Sequence, residues 1–537
     1  MLTLLLALLL TPAPGAADVT LHVVPYTDNN AWSLVHASQL RKLLTWCREH
    51  DVSLAAFYFE AAHRNAPDVT RVLREFVDNG TITVTGTQTV SHALGGLPYS
   101  IQYWELVRGL QYARDRLDRS DPLLHVPYWV LDETTLRACA RAGIRALVSG
   151  LGPGIDPDFL RRRYPELTRV DAVGRHLLVG RWKVEGTTIY HLPALSFTND
   201  LGGSADLALS RLERGLELLL RSGLVRDGDR LVVWVLLEPW QMSDATLSEF
   251  ESLLDRLKRG VTLRVDGLTA RIELADPKRV VRNLDSYRSI ELPTPSYERA
   301  LRYEGYAPIR DLQVDPEVRC LYERYLKTLR SVDDRLSRLL ELGLVDRELE
   351  RRLDRVVQLA WNDAALYAAL QGWKNLDLVK RYLRSLLDAA RELARAVNER
   401  YLRVVGGRHH APLGASGGSS AGRAKVARSE ISPGPAQAGK AARTAPTQGG
   451  TGARTSSAPT GRPQGGSARS EGSSEVKEAR KKVSEERKGE NGARNGGTSD
   501  RASRTTRPGA PLDRTPTGPV VHLPVLALLL RRRVRIG

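Results

Sequence analysis

Short apolar runs rich in β-branched residues alternate with amphipathic stretches over the first 240 residues of the chain. The runs are Val19–Tyr26 (VTLHVVPY), Ser53–Glu60 (SLAAFYFE), Thr81–Gly86 (TITVTG), Leu123–Tyr128 (LLHVPY), Ala146–Gly150 (ALVSG), Thr187–Ala194 (TTIYHLPA) and Leu231–Trp240 (LVVWVLLEPW). Strands that are apolar on nearly every position belong to a parallel sheet covered on both faces. Between them, Ala37–Glu49 and Asp68–Val77 place Leu, Val and Trp at helical spacing, as does Leu207–Ser222, and Thr134–Ala142 stops at Gly143. Seven strand-then-helix units predict an α/β fold, a seven-stranded β/α barrel over residues 18–310. Val261–Val265 and Thr269–Glu273 predict a hairpin turning at Asp266-Gly267. From Asp315 the pattern becomes helical. Asp315-Pro316 is an N-cap followed by a first-turn proline, and helices are predicted at 316–330, 332–342, 347–371 and 377–402, punctuated by Gly343 and Gly372. These form a helical bundle domain at 311–405.

The charge changes this picture only at the far end. Of 79 Lys+Arg and 62 Asp+Glu in 537 residues, the segment from Gly406 to Gly537 holds 24 and 9, a net of +15. The remaining 55 basic and 53 acidic groups leave the body at +2. A nucleic-acid-binding fold should show its basic face in the folded part, so no nucleic acid partner is expected. Every Trp, Tyr and Phe also precedes Gly406. Residues 406–519, rich in Gly, Ser, Thr, Pro, Ala and Arg, cannot bury enough apolar surface to offset chain entropy and read as a disordered stalk. Residues 520–537 join an apolar stretch, Val520–Leu530, to RRRVR, which reads as an anchor to a membrane or cell envelope. At the other end, Leu2–Leu10 is too short to span a bilayer and is followed by Gly15-Ala16-Ala17, so residues 1–17 read as a signal peptide. Together these predict an extracellular protein attached to the cell surface. Cys47, Cys139 and Cys320 are too scattered for a disulfide framework or a zinc ribbon.

In a β/α barrel the chemistry gathers at the carboxyl ends of the strands. Here those ends carry Tyr26 and Asp28, Glu60, Gln88 and His92, Tyr128 and Trp129, Ser149, His191 and Ser196, then Glu238 and Trp240. Aromatic rings beside carboxylates suit sugars, whose C–H faces stack while their hydroxyls hydrogen-bond to acids. Glycoside hydrolysis needs two carboxyl groups flanking one bond, one of them with a raised pKa. Glu238, following VVWVLL, is the first candidate for that acid, because an apolar strand desolvates it. Glu60, after AAFYF, and Asp28, in YTDNN, are candidates for the second, as is Asp132, which also suits the N-cap of the helix that follows.

Three segments resemble glycoside hydrolase family 57. Gly80–Pro98 (GTITVTGTQTVSHALGGLP) is similar to that family's third-strand G-x-I-E-V-x-G-T region. Leu123–Gly150 (LLHVPYWVLDETTLRACARAGIRALVSG) resembles its W-x-P-E region with the following helix and strand. Val357–Leu370 (VQLAWNDAALYAAL) resembles its late helical motif. The resemblance spans residues 18–402 and implies action on an α-glucan or a related polysaccharide without a metal or cofactor. It further implies that His22 keeps one His of a first-strand H-x-H, and that Asp363 reaches from the helices into the barrel mouth. The catalytic motifs depart from the pattern. Tyr128 follows Pro127 where the family has its nucleophilic Glu, and Leu236-Leu237-Glu238 stands for its D-G-E. On that reading Tyr128, Trp129, Trp240, His22, Gln88, His92 and Asp363 contact substrate, and Glu238, Glu60 and Asp28 supply catalytic carboxyls. Two alternatives follow from the departures. One is a carbohydrate-binding envelope protein that has lost catalysis. The other is a metal-dependent polysaccharide deacetylase, since GTQTVSH resembles that group's G-N-H-T-x-S-H, with Asp28 and His92 at ligand positions and Gln88 in place of a His.

Overall fold

The computed structural model describes residues 18–28, 34–64, 66–91, 93–150, 157–238, 241–372 and 375–406. The leader-like segment, the tail beyond 406, His92 and Trp240 lie outside them.

Seven parallel strands close on themselves. They are β1 (Asp18–Thr27), β2 (Leu54–Tyr58), β3 (Ile82–Thr87), β4 (Leu123–His125), β5 (Ala146–Ser149), β7 (Thr187–Ser196) and β8 (Arg230–Leu236). Each pairs in parallel with the next, and β8 pairs with β1 to complete the barrel. A strand absent from the sequence reading, β6 (Val179–Val184), runs antiparallel to β7 on the outside of the ring. The expected hairpin forms from β9 (Val261–Val265) and β10 (Leu268–Leu274), with β10 against the first half of β1. Its turn residues Asp266 and Gly267 both have positive φ, 50° and 85°, as a tight two-residue hairpin turn requires.

Side chains alternate between two cores, as strand geometry dictates. On β1, Val19, Leu21 and Val23 face the helix layer, while Val24 and Tyr26 face the barrel axis. The axis is filled by aromatic rings. The Tyr26 ring lies 5.6 Å from Phe57 and 5.7 Å from Trp234, and Phe57 lies 5.6 Å from His125. Gly86 of β3 makes the room, since a Cβ there would come within 2.4 Å of the Phe57 ring.

Beyond the barrel, helices Pro316–Arg330, Asp333–Glu341, Arg347–Leu359, Asp363–Gly372 and Leu376–Gly406 share an apolar core that includes Val318, Tyr322, Leu353 and Leu386. Ile101 and Trp104 of helix Tyr99–Leu117 join it. Trp104 Nε1 donates to Asp354 at 2.9 Å and Arg108 pairs with the same carboxylate at 2.7 Å. The sequence predicts one helix over 347–371; the structure has two, broken at Ala360, whose ψ is 134°. Asn362 explains the break. Its Oδ1 accepts from Ala365 N (3.0 Å) as an N-cap does, and its Nδ2 donates to Gly95 O (2.9 Å). Among the described residues no helix is long and apolar enough to cross a membrane.

Candidate active site at the barrel mouth

The register of β1 and β8 sets the centre of the site. Tyr26 lies beside Leu236, and Leu237 N donates to Tyr26 O at 3.1 Å. Two further residues on each strand bring Asp28 and Glu238 level, on the parity of the inward-facing Tyr26 and Leu236. Adjacent strands lie about 4.8 Å apart, so the two acids occupy neighbouring inward positions. Both are buried, at 2% and 6% exposure. Ser196, at the inward end of β7, donates from Oγ to Glu238 Oε2 at 3.1 Å, and Asn199 Nδ2 donates to the same oxygen at 3.1 Å. Burial pushes the Glu238 carboxyl up to about 7, and the nearby charge of Asp200 acts in the same direction, against the hydrogen bonds from Ser196 and Gln241. Glu238 is therefore a half-protonated acid near neutrality, held in one orientation.

Asp200 and Tyr26 extend the site. Asp200, in the loop after β7, is oriented by Ser196 N, which donates to its Oδ2 at 2.7 Å. The Tyr26 hydroxyl is pushed upward, first by burial and then by the charges of Asp28, Glu238 and Asp200. Below it His125 is buried, and desolvation lowers it to about 3, keeping the imidazole neutral. Gln88 also occupies an inward position; its backbone N donates to Tyr58 O at 2.9 Å and its Oε1 is buried with no partner.

Other expected residues are placed elsewhere. Glu60 opens a short helix directly after β2 and shares the outward parity of Tyr58. Its Oε2 accepts from the Tyr58 hydroxyl at 2.6 Å and its Oε1 lies 3.5 Å from Arg64 Nε. It thus faces the helix layer rather than Glu238. His22 is six residues before Asp28, about 20 Å along the strand. There its Nδ1 meets the Tyr287 hydroxyl at 2.7 Å and its Nε2 meets Glu273 at 3.3 Å, at the opposite end of the barrel. Tyr128 and Trp129 both adopt positive φ, 51° and 53°. Two consecutive bulky residues in that region are strained, and such strain concentrates at functional loops. The Trp129 ring packs against Gly150, where a Cβ would sit 2.4 Å away. The Tyr128 ring meets Tyr306 edge-on at 5.6 Å.

Asp132 caps helix Glu133–Arg141 by accepting from Thr135 N (2.7 Å), and its Oδ2 accepts from Gly96 N (2.8 Å). Asp363 begins its helix instead of lying within one, where an acid complements the helix dipole. Ile309 N (2.7 Å), the Tyr297 hydroxyl (3.1 Å) and the Tyr322 hydroxyl (3.3 Å) all donate to it. Among the described residues no three or more His, Cys, Asp or Glu are grouped so as to hold a metal.

Asp200 was not legible as a site residue in the sequence. Thr198-Asn199-Asp200 directly follows an apolar strand, which was the available signal, but the strand reads as ending at Ala194 rather than Ser196.

No protein-family profile matches the sequence, and no curated protein does. Solved structures align with the chain at low identity, with TM-scores below 0.5. A 4-α-glucanotransferase from Thermococcus litoralis is 11% identical with a TM-score of 0.44, over 70% of this chain and 60% of that one. A branching enzyme of glycoside hydrolase family 57 from Thermococcus kodakaraensis is 13% identical with a TM-score of 0.43, over 72% of this chain and 91% of that one. An α-amylase from Thermotoga maritima is 9% identical with a TM-score of 0.38, over 73% and 94%.

Proposed function

We infer that the barrel mouth binds a saccharide and cleaves a glycosidic bond, with an α-glucan or related polysaccharide as substrate. The observation that supports this most is Glu238, a buried acid titrating near 7, one strand from the inward-facing Asp28. A proton donor must be protonated at working pH yet acidic enough to give the proton up. Glu238 meets that condition, since desolvation holds its proton while Ser196 and Asn199 fix the carboxyl plane. In hydrolysis it protonates the leaving oxygen. Asp28, on the neighbouring strand, stabilises the positive charge that develops on the sugar ring, either as nucleophile or by activating water. The test is release of reducing ends from soluble starch by the purified chain. Glu238→Gln removes the donated proton with little change of shape and is expected to lower turnover roughly 10²–10⁴-fold. Release at the wild-type rate would refute the assignment.

A second reading is binding without turnover, and the placement of Glu60 and Tyr128 supports it. With Glu60 turned to the helix layer and Tyr128 standing after Pro127, the second carboxyl rests on Asp28 or Asp200. Under this reading soluble starch binds and no reducing ends appear. We also propose that the chain is exported and held at the cell surface by its basic tail.

A further inference from the structure

Glu304 breaks several local rules at once. It is the residue after helix Tyr297–Tyr303, its N donating to Ala300 O at 3.2 Å, so its acid sits at the negative end of that helix. Its Oε1 is buried and accepts no hydrogen bond. The charge that bears on it is another acid, Asp200, and no basic side chain among the described residues acts on it. Burial first, then Asp200, push its carboxyl up to about 8. A buried polar group without a partner is costly, and proteins tolerate such local conflicts mainly where function requires them.

Its helix packs at the mouth: Ala300, Leu301 and the following Tyr306 share an apolar cluster with Val130, and Tyr128 of the loop after β4 packs against it. Asp200 acts on Glu304, on Glu238 and on Tyr26 alike. On its other side Glu304 acts on the Tyr306 hydroxyl, whose ring lies 5.6 Å from Tyr128 and 5.7 Å from Tyr367. An independent feature marks the same spot. The Tyr26 hydroxyl, on a residue of 0% exposure, also has no hydrogen-bond partner, and the charges of Asp28, Glu238 and Asp200 all bear on it. Two buried atoms without hydrogen-bond partners, one on β1 and one beyond the barrel, both within the field of Asp200, are what a polyhydroxylated ligand would satisfy.

We propose that Glu304 is a ligand-contacting residue of this mouth, donating a hydrogen bond from its carboxyl group to an oxygen of the bound saccharide. This rests on the saccharide reading above and adds that the segment beyond the barrel completes the site. As a neutral carboxyl, Glu304 offers an O–H to a sugar oxygen that an ionised carboxylate would repel.

The test is isothermal titration calorimetry of the full chain with maltoheptaose, cellohexaose and N-acetylchitohexaose at pH 6 and pH 9, alongside melting temperatures. At least one probe is expected to bind wild type at pH 6. Glu304→Ala should weaken it roughly tenfold, the size of one lost hydrogen bond in an enclosed site. Glu304→Gln keeps an N–H donor and should stay within about threefold of wild type. From pH 6 to pH 9 the wild type should lose affinity relative to Glu304→Gln, because the carboxyl ionises and the amide does not. Asp200 and Tyr306, which face Glu304, and Glu238 are common to both proteins, so the difference isolates residue 304. Both variants should melt at or above the wild-type temperature, since an unpaired buried acid is removed. Wild-type affinity in Glu304→Ala, or lowered melting of both variants with unchanged affinity, overturns this proposal alone. Failure of the wild type to bind any of the three probes overturns it together with the saccharide reading.

Discussion

Buried acids make the protein's behaviour depend on pH in a defined direction. Glu105 lies wholly inside, with Ser91 N (3.0 Å) and Ser91 Oγ (2.6 Å) donating to its Oε1, and burial pushes it up to about 8. Glu238 is pushed to about 7 for the same reason. A carboxyl raised in the folded state binds its proton more tightly folded than unfolded. Its contribution to stability is therefore fully present below the ordinary Glu value and is lost as pH rises through the folded value. The melting temperature should fall from pH 5 to pH 8.5. Glu105→Gln should flatten that fall and exceed wild type at pH 8.5 by on the order of 2–4 kcal/mol, measured by urea titration at both pH values. If Glu238 is the donor, turnover should also decline as pH rises through about 7. At this scale the sequence was informative for Glu238, because the apolar strand that desolvates it is contiguous with it. It misled for Glu60, whose equally apolar strand ends one residue out of phase, turning the carboxylate to Tyr58 and Arg64. Side-chain parity at a strand end depends on where the helix takes over, which apolar content does not reveal.

At the scale of elements, close packing and capping decide the boundaries. Gly86→Ala would drive a methyl to 2.4 Å from the Phe57 ring and should cost about 1–3 kcal/mol by overpacking, read from denaturant melts. Asp363→Ala removes the acceptor that joins Ile309 N, Tyr297 and Tyr322, and should cost at least about 2 kcal/mol. A purely ligand-binding Asp363 would instead leave stability unchanged and weaken saccharide binding. The run 347–371 shows why boundaries are hard to read. Its helical periodicity continues across the break, and the competing N-cap at Asn362 wins because Gly95 O lies within reach of its Nδ2, a long-range contact. The strand β6 was missed because it pairs with β7 on the outside of the ring.

For the whole molecule, the charge split between a body at +2 and a tail at +15 separates two behaviours. If the tail holds the chain at a surface, the full chain should fractionate with membranes while one ending at Val405 stays in the supernatant; equal behaviour of the two would refute attachment. The barrel itself was legible because strand alternation and run length are local properties: seven apolar runs, separated by helical spacing, admit few topologies besides a closed or doubly covered parallel sheet. By itself, then, the sequence determined the strands, the helices that cover them and the placing of Asp28 and Glu238 at strand ends. Only the tertiary structure decided that these two acids lie level on neighbouring strands, next to Tyr26 and within the field of Asp200, and that His22 lies at the opposite end and Glu60 faces outward. The reason is physical: hydrophobic period follows from neighbours along the chain, whereas the company a carboxyl group keeps depends on strand register and on loops returning from elsewhere in the chain.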